Sequence, residues 1–292
     1  MRVIQGISRG RRSRRQAVVV AALALLISAA GARATTVSPN TGSLGSAANG
    51  TNADSVTFGP GAVGAGGDQS AVYDGVAGTK TTVPFQSALN PASASPFTIE
   101  FWANPAASDN DDAPVSNRVA SGNRSGWVFF QRQADTGWNF RMYNGNGSGL
   151  GWDLTGGTSN LNQWNHVVAT WNGSAAQLFV NGALADSSND PSATGVYNAS
   201  SAANLIVAMS DTGSPYTGSV DEVAFYDKAL TPAQILSHFT TATATPGEYS
   251  ALVRSDGALL QLSNNAVPEP STGVLLGAGA ALLLQRRRAT IR

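Results

Sequence analysis

WNHVVATWNGSAAQLFVNGALADS, residues 164–187, decides the fold. Trp164–Trp171 reads as a strand, rich in β-branched and aromatic residues. Ala175–Val180 and Ala183–Ser187 flank Asn181-Gly182, a two-residue turn that needs positive φ at both positions. Asparagine and glycine adopt that conformation at low cost, so the pair specifies a tight hairpin. Three short antiparallel strands in so short a stretch leave no room for a helix.

Working outward, Pro96–Trp102 alternates, with Phe97, Ile99 and Phe101 on one face. Further strands are expected over Ser70–Gly75, Lys80–Pro84, Gly126–Gln133, Trp138–Asn144, Gly151–Thr155, Ala203–Ser210 and Gly218–Tyr226. Ten or so short strands in about 200 residues predict a single all-β sandwich or barrel. One short helix follows over Pro232–Phe239. Thr231-Pro232-Ala233-Gln234 is a capping box with proline at the first helical position, and Ile235 and Phe239 share a face. Beyond it, Gly247–Val253 and Gly257–Leu262 flank Ser255-Asp256 and read as a hairpin. That hairpin is expected to cover a sheet edge left open by a turn-like N-terminal stretch, Thr35–Ala53.

Both ends of the chain are topogenic. Six arginines between Arg2 and Arg15 precede the apolar Ala17–Ala30, and Ala32-Arg33-Ala34 offers a small-x-small cleavage site, so 1–34 reads as a signal peptide. Ser13-Arg14-Arg15 resembles a twin-arginine signal, but Ala17 stands where that pattern prefers an aromatic; general secretion and twin-arginine export both stay open. At the other end, VPEPSTGVLLGAGAALLLQRRR (267–288) joins Pro-Glu-Pro, an apolar run over Val274–Leu284 and an arginine block. As a helix the run covers about 16 Å, against about 30 Å of bilayer hydrocarbon. It is too short for a permanent anchor.

The whole chain has 18 basic and 18 acidic residues. Eleven arginines lie in the two ends, which leaves seven basic residues against all 18 acidic ones in 35–285, a formal charge of −11. Nucleic acid is a poor partner for such a surface, because its binding relies on basic side chains neutralising phosphates. Cations and neutral polymers suit it better. No cysteine is present, which excludes disulfides, zinc–thiolate sites, iron–sulfur clusters and cysteine nucleophiles.

FTIEFWANP (97–105), WNHVVATWNGSAAQLFVNG (164–182) and GSVDEVAFYDKALTPAQILSHF (218–239), in this order, resemble the laminin-G-like, concanavalin A-type jelly-roll domains. With the region around AVYDG (71–75), the resemblance covers roughly residues 39–240 and implies a jelly-roll β-sandwich over 35–246. That fold hosts lectins, enzymes and adhesion modules, so it does not fix the function. The C-terminal end, 267–292, resembles the PEP-CTERM sorting signal, with 247–266 as connector. In that family a membrane-embedded exosortase cleaves the tail and passes the protein to the cell surface. Pro268, Glu269 and Pro270 stay extended and open to a protease, because proline cannot continue a helix. Arg286, Arg287 and Arg288 hold the cytoplasmic side. The implied partners are the secretion machinery and an exosortase, with transient membrane association; a tail retained as an inner-membrane anchor is the alternative.

His166 and His238, far apart and without a neighbouring nucleophile motif, read as structural. A glycoside hydrolase needs two carboxylates about 5–9 Å apart. Asp221-Glu222 does not supply them, since adjacent strand residues point to opposite faces. Glu100 and Glu222 could still converge from different strands, which keeps hydrolysis as an alternative. Polysaccharide binding fits better. Trp138, Tyr143, Asn144, Asn146 and Trp152 lie in and beside a glycine-rich loop, and Tyr197 and Tyr216 in two others. Aromatics stack sugar rings and amides hold hydroxyls, although the same tryptophans equally suit a core.

Calcium is the one cofactor expected. Asp109-Asn110-Asp111-Asp112 is the densest acidic loop but lacks EF-hand spacing, so a solvated loop stands beside a calcium site as a reading. In Gly218–Tyr226, alternation puts Asp221 on the core face with Val223 and Phe225, and Glu222 on the other. A core-face carboxylate needs either backbone N–H donors or a calcium ion shared with an early-strand acid such as Asp74. The expectation is an exported, non-enzymatic protein of the cell surface or extracellular matrix that binds polysaccharide. A purely structural or adhesion module is the competing class.

Overall fold

Two antiparallel sheets stack face to face in the computed structural model, which describes residues 37–64, 67–108, 111–132, 137–188 and 196–264. The cleavage residues Ala32 and Ala34 lie outside the described residues, as do Asp109, Asn110 and the sorting residues Pro268, Glu269, Pro270, Arg286, Arg287 and Arg288. No helix among the described residues is long and apolar enough to cross a membrane.

The first half of the chain supplies β1 (Val37–Ser38), β2 (Gly50–Asn52), β3 (Thr57–Pro60), β4 (Gln69–Asp74), β5 (Thr81–Val83), β6 (Phe97–Pro105), β7 (Val115–Ser116), β8 (Trp127–Gln131) and β9 (Trp138–Tyr143). The second half supplies β10 (Leu150–Gly156), β11 (Asn165–Trp171), β12 (Ala176–Val180), β13 (Ala183–Ser188), β14 (Leu205–Val207) and β15 (Thr217–Tyr226). It ends with α1 (Pro232–Ala244), α2 (Tyr249–Ser255) and β16 (Leu260–Leu262). The front sheet runs β1-β2-β5-β14-β7-β8-β9-β10, and the back sheet β13-β12-β11-β6-β15-β4-β3, with β16 also paired to β15.

The local expectations hold where they rest on turn and cap chemistry. Asn181 and Gly182 sit at φ 52° and 77° between β12 and β13. Thr231 and Gln234 form the reciprocal capping box with proline in the first turn of α1. Phe97, Ile99 and Phe101 all point into the core between the sheets, packed with Phe129, Phe140, Trp138 and Trp171. The other face of β6 carries Thr98, Glu100 and Trp102 toward the helices, where Trp102 packs with Ile235, Tyr249 and Val253. A helical layer thus covers the back sheet and turns the sandwich into three layers.

Three expectations are corrected. Residues 249–255 are a helix, α2, rather than one arm of a hairpin. Its buried Tyr249 and Val253, four residues apart, suit a helix face packed on the sheet. Second, Thr35–Ala53 is not strandless, since β1 and β2 form there. The connector does join the sheet, but through β16, which lies between two partners. Phe225 pairs with Leu260 on one side, while Thr41 N donates to Gln261 O (2.9 Å) and Leu44 N to Leu259 O (3.0 Å) on the other.

The third correction concerns β15. Its alternation breaks between Asp221 and Ala224, where the register against β6 shifts and Glu222 takes φ 48°. This β-bulge inserts one extra residue, which bends the strand and re-aims its side chains. Val220 and Val223 both face the inter-sheet core, so Asp221 does not share that face with Val223 and Phe225. Instead Asp221 pairs with Trp102 on the helix-covered side.

Candidate functional site

Three loops meet at one end of the front sheet, and backbone hydrogen bonds lace them together. Arg124 N donates to Gly147 O (2.8 Å) and Gly145 N to Arg124 O (3.0 Å), joining loop 119–126 to loop 143–149. Gly126 N donates to Asn198 O (2.8 Å) and Asn198 N to Tyr143 O (2.8 Å), which ties in the third loop. Gly147 N also donates to Asn123 Oδ1 (2.9 Å) and Asn146 N to Asn144 Oδ1 (2.9 Å). Gly145, at φ 77°, brings the backbone so close to Asn198 that a β-carbon would collide with its side chain. Asn123, Asn146, Ser148 and Asn198 are exposed on the resulting rim, and Asn144 is half-buried among them.

The aromatic residues expected to stack sugars are not on this rim. Trp138 and Trp152 are core residues; Trp152 lies 5.5 Å from the ring of Trp171. Tyr197, although in a loop, packs on Phe97 at 5.5 Å, and Tyr216 is fully buried. Tyr143 lies on the outer face of the front sheet but is covered, its ring roofed by the guanidinium groups of Arg118 and Arg124 and its hydroxyl accepting from Arg118 (3.1 Å). Of the seven expected ligand-binding residues, Asn144 and Asn146 remain accessible. Asn123, Arg124 and Asn198, which carry no expectation from the sequence, also lie on this rim.

A concavity of about 510 Å³ runs between Gly157–Asn160 and the Asn181–Ala185 turn. Its amides are already engaged in the fold. Asn181 Oδ1 accepts from His166 N (2.9 Å), and Asn160 Nδ2 donates to Asn165 Oδ1 (3.2 Å).

The bulge in β15 builds a different constellation under the helices. Asp221 and Glu222, adjacent in sequence, both turn to the helix side and meet Asp68, with one carboxylate oxygen from each within 4.8 Å of the others. Asp221 Oδ2 accepts from Ala62 N (2.8 Å) and Oδ1 from Glu222 N (2.9 Å). Glu222 accepts from Ser250 Oγ (2.9 Å) and Gln261 Nε2 (2.6 Å). Burial, then the charges of Glu222 and Asp68, push Asp221 well above the usual carboxylate range, and burial pushes Glu222 up to about 7. Among the described residues Asp68 Oδ1 is buried without a hydrogen-bond partner, and a cleft of about 240 Å³ between Val63, Asp68 and the start of α2 reaches it. Hard oxygen ligands of this kind fit calcium. Asp74 takes no part: it is exposed at the end of β4, opposite Thr217, and its Oδ1 accepts from Val76 N (3.0 Å).

Both histidines converge on Glu100, which the sequence spacing could not show. Glu100 Oε1 bonds His166 Nε2 (3.0 Å) and accepts from Tyr249 OH, and Oε2 bonds His238 Nδ1 (2.8 Å) and accepts from Tyr226 OH (3.0 Å). His238 Nε2 contacts Asp256 Oδ2 at 2.8 Å. Burial opposes charge on both partners, but their mutual attraction wins. It holds Glu100 well below the usual carboxylate range and raises His238 to about 9. Glu100, His166 and His238 are each 0% exposed, so this is a buttress between sheet and helices.

The arrangement is that of a jelly-roll β-sandwich with one elaborated loop end. Residues 77–236, more than half of the chain, match the family described as the concanavalin A-like lectin/glucanases superfamily of laminin-G type, and the chain belongs to it. Residues 266–288 match the PEP-CTERM protein-sorting motif, which marks an exported protein sorted at the cell envelope. A comparison with curated proteins gives no match. Among solved structures, the chain resembles the binding domain of botulinum neurotoxin serotype G (14% identity, TM-score 0.53, 68% of this chain and 47% of that one). It also resembles the binding domain of botulinum neurotoxin DC (14% identity, TM-score 0.50, 72% and 52%). A pentraxin from Limulus polyphemus is similar at 16% identity over 68% of this chain and 90% of its own, with a TM-score of 0.48. The chain spans about half the length of the two toxin binding domains, and at these identities the likeness concerns the fold.

Proposed function

We propose that this chain is an exported, non-enzymatic protein that binds extracellular polysaccharide at the rim formed by loops 119–126, 143–149 and 196–198. The observation that carries this is the preassembled rim itself. Its loops are fixed by backbone hydrogen bonds, so exposed amides are presented to sugar hydroxyls without ordering a mobile loop. With the large aromatics inside, recognition proceeds by hydrogen bonding more than by ring stacking. The carboxylates that could have supported hydrolysis, Glu100, Asp221 and Glu222, are each buried to within 1% beneath the helical layer, out of reach of a polymer.

The binding reading is tested on a glycan array with the processed protein. The parent is expected to bind a subset of glycans, and Asn146→Ala with Asn198→Ala is expected to weaken that binding at least tenfold at unchanged melting temperature. A parent that binds no glycan favours a structural or adhesion role without a small ligand. Release of reducing sugars from any polysaccharide would overturn the non-enzymatic assignment.

We further propose that Asp68, Asp221 and Glu222 hold a calcium ion. Bound there, it would supply positive charge between three carboxylates and pin the bulge of β15 to the 61–68 loop. Its role is structural.

Processing follows from the two ends. The mature chain is expected to start near Thr35 and to end near Pro268–Ser271, the tail having been removed by an exosortase. Intact-mass measurement of the exported protein checks this: a mass that retains Arg286–Arg288 identifies a membrane-anchored product instead.

A further inference from the structure

Positive charge is scarce in this domain and unevenly placed. Residues 35–285 contain Lys80, Arg118, Arg124, Arg132, Arg141, Lys228 and Arg254 as their basic residues. Four of these, Arg118, Arg124, Arg132 and Arg141, lie on or beside the outer face of β8 and β9. Three have acidic partners there: Arg118 pairs with Asp211 (2.9 Å), Arg132 with Asp111 (3.1 Å) and Arg141 with Asp153 (3.3 Å). Arg124 differs. No carboxylate among the described residues pairs with it.

The position of Arg124 is nonetheless fixed. Its guanidinium carbon lies 5.8 Å from the centre of the Tyr143 ring, whose other neighbour is Arg118 at 5.7 Å. Its backbone is clamped to Gly145 and Gly147 by the bonds that build the rim. The side chain is half-buried and stands beside Asn123, with Asn144, Asn146 and Asn198 on the facing loops. Asp211, which reaches the 119–126 loop from the turn after β14, is already taken by Arg118 and by the backbone N–H of Ala120. A guanidinium is a planar fork of five donors that matches a carboxylate or sulfate with two parallel hydrogen bonds. Held on an aromatic ring, it is directed before the ligand arrives.

We infer that the rim selects an anionic sugar, with Arg124 taking the carboxylate or sulfate of one residue of the polysaccharide while the surrounding amides take its hydroxyls. The inference rests on the reading of the rim as the polysaccharide site and adds the ligand's charge. The net negative charge of the domain opposes indiscriminate polyanion binding, and because salt screens charges farther apart than about a Debye length, roughly 8 Å at physiological salt, an anion at the rim responds chiefly to the groups beside it. Selection therefore falls to Arg124, the oriented guanidinium of this face that has no carboxylate partner among the described residues.

Titration calorimetry of the processed protein tests this with oligogalacturonate, its methyl ester and a sulfated oligosaccharide of matched length. At least one anionic probe is expected to bind ten times or more tighter than the uncharged ester. Arg124→Gln should remove that advantage and leave ester binding within about twofold, while Arg141→Gln, whose partner is Asp153, should leave all three unchanged. Arg124→Lys keeps the charge without the fork and should fall between parent and Arg124→Gln; its melting temperature controls for folding. A preference for the sulfated probe that is lost in Arg124→Gln supports the anion site with sulfate as the group. Equal binding of acid and ester, or an anion preference that survives Arg124→Gln, overturns the anion inference while the rim reading stands. Glycan binding insensitive to Asn146→Ala with Asn198→Ala, and to Arg124→Gln, overturns both.

Discussion

Replacing Glu100 with leucine is expected to destabilise the protein by about 3–5 kcal/mol, the cost typical of removing one partner from a buried charged network. Four side chains lose their acceptor at once: His166, His238, Tyr226 and Tyr249, drawn from β11, α1, β15 and α2. The protonated His238 would keep Asp256 alone as its counter-charge. Urea unfolding of parent and variant measures the difference; a change below 1 kcal/mol would show that the network carries no net stability. Glu100→Gln, which keeps the shape, should cost less.

The same network sets a pH dependence whose sign is fixed by its two shifted groups. His238 is raised from 6.5 to about 9, so its contribution is complete below about pH 6.5 and is lost as the pH rises through 9. Glu100 is depressed from 4.5, so its contribution is complete above that value and is lost as the pH falls toward its folded value. Stability from this source is therefore greatest between about pH 4.5 and 6.5 and falls by roughly 3 kcal/mol at most toward pH 10. In Glu100→Gln the alkaline decline should flatten, because His238 then has Asp256 alone to favour its charged form. A parent whose melting temperature is constant from pH 6 to 10 contradicts the assignment.

Calcium is expected to raise the melting temperature of the chelator-treated protein, by the equivalent of about 2.7 kcal/mol once its concentration reaches a hundredfold over the dissociation constant. The three carboxylates of Asp68, Asp221 and Glu222 repel one another without a cation between them, and Asp68 Oδ1 has no donor among the described residues. Asp68→Asn should abolish the response to calcium while leaving the chelated protein as stable as the parent or more so, since one of the repelling charges is gone. Asp221→Ala should instead cost about 1–3 kcal/mol even in chelator, because the N–H groups of Ala62 and Glu222 lose their acceptor, and should weaken the response to calcium as well. A melting temperature indifferent to calcium and to chelator removes the metal from the cluster.

Much of the scaffold was legible before any coordinates, and the reason is locality. The Asn181-Gly182 turn, the Thr231–Gln234 capping box and the alternation of Phe97, Ile99 and Phe101 are each specified by residues a few positions apart. The same locality misled where a non-local contact overrode it. Residues 249–255 are apolar enough for a strand, but the sheet beneath them offered a surface for a helix face, and Tyr249 reaches Glu100 only from there. Alternation along β15 failed at a single residue, Glu222, whose left-handed φ no spacing rule announces.

Sequence by itself determined the sorting motif and the framework: a PEP-CTERM tail, an acidic middle without cysteine, and a succession of strands that bury alternate residues. Tertiary structure decided which groups are accessible and which meet. Tyr197 and Tyr216 sit in loops yet are buried, because loop residence sets backbone geometry and says little about what packs over a ring. Asp68 joins Asp221 and Glu222, and Glu100 gathers both histidines, because sheet order and one bulge bring distant strands together. Arg124 stands apart from the other arginines of its face for the same reason. Charge is written in the sequence, but whether a charge finds a partner depends on the neighbours that folding assigns to it.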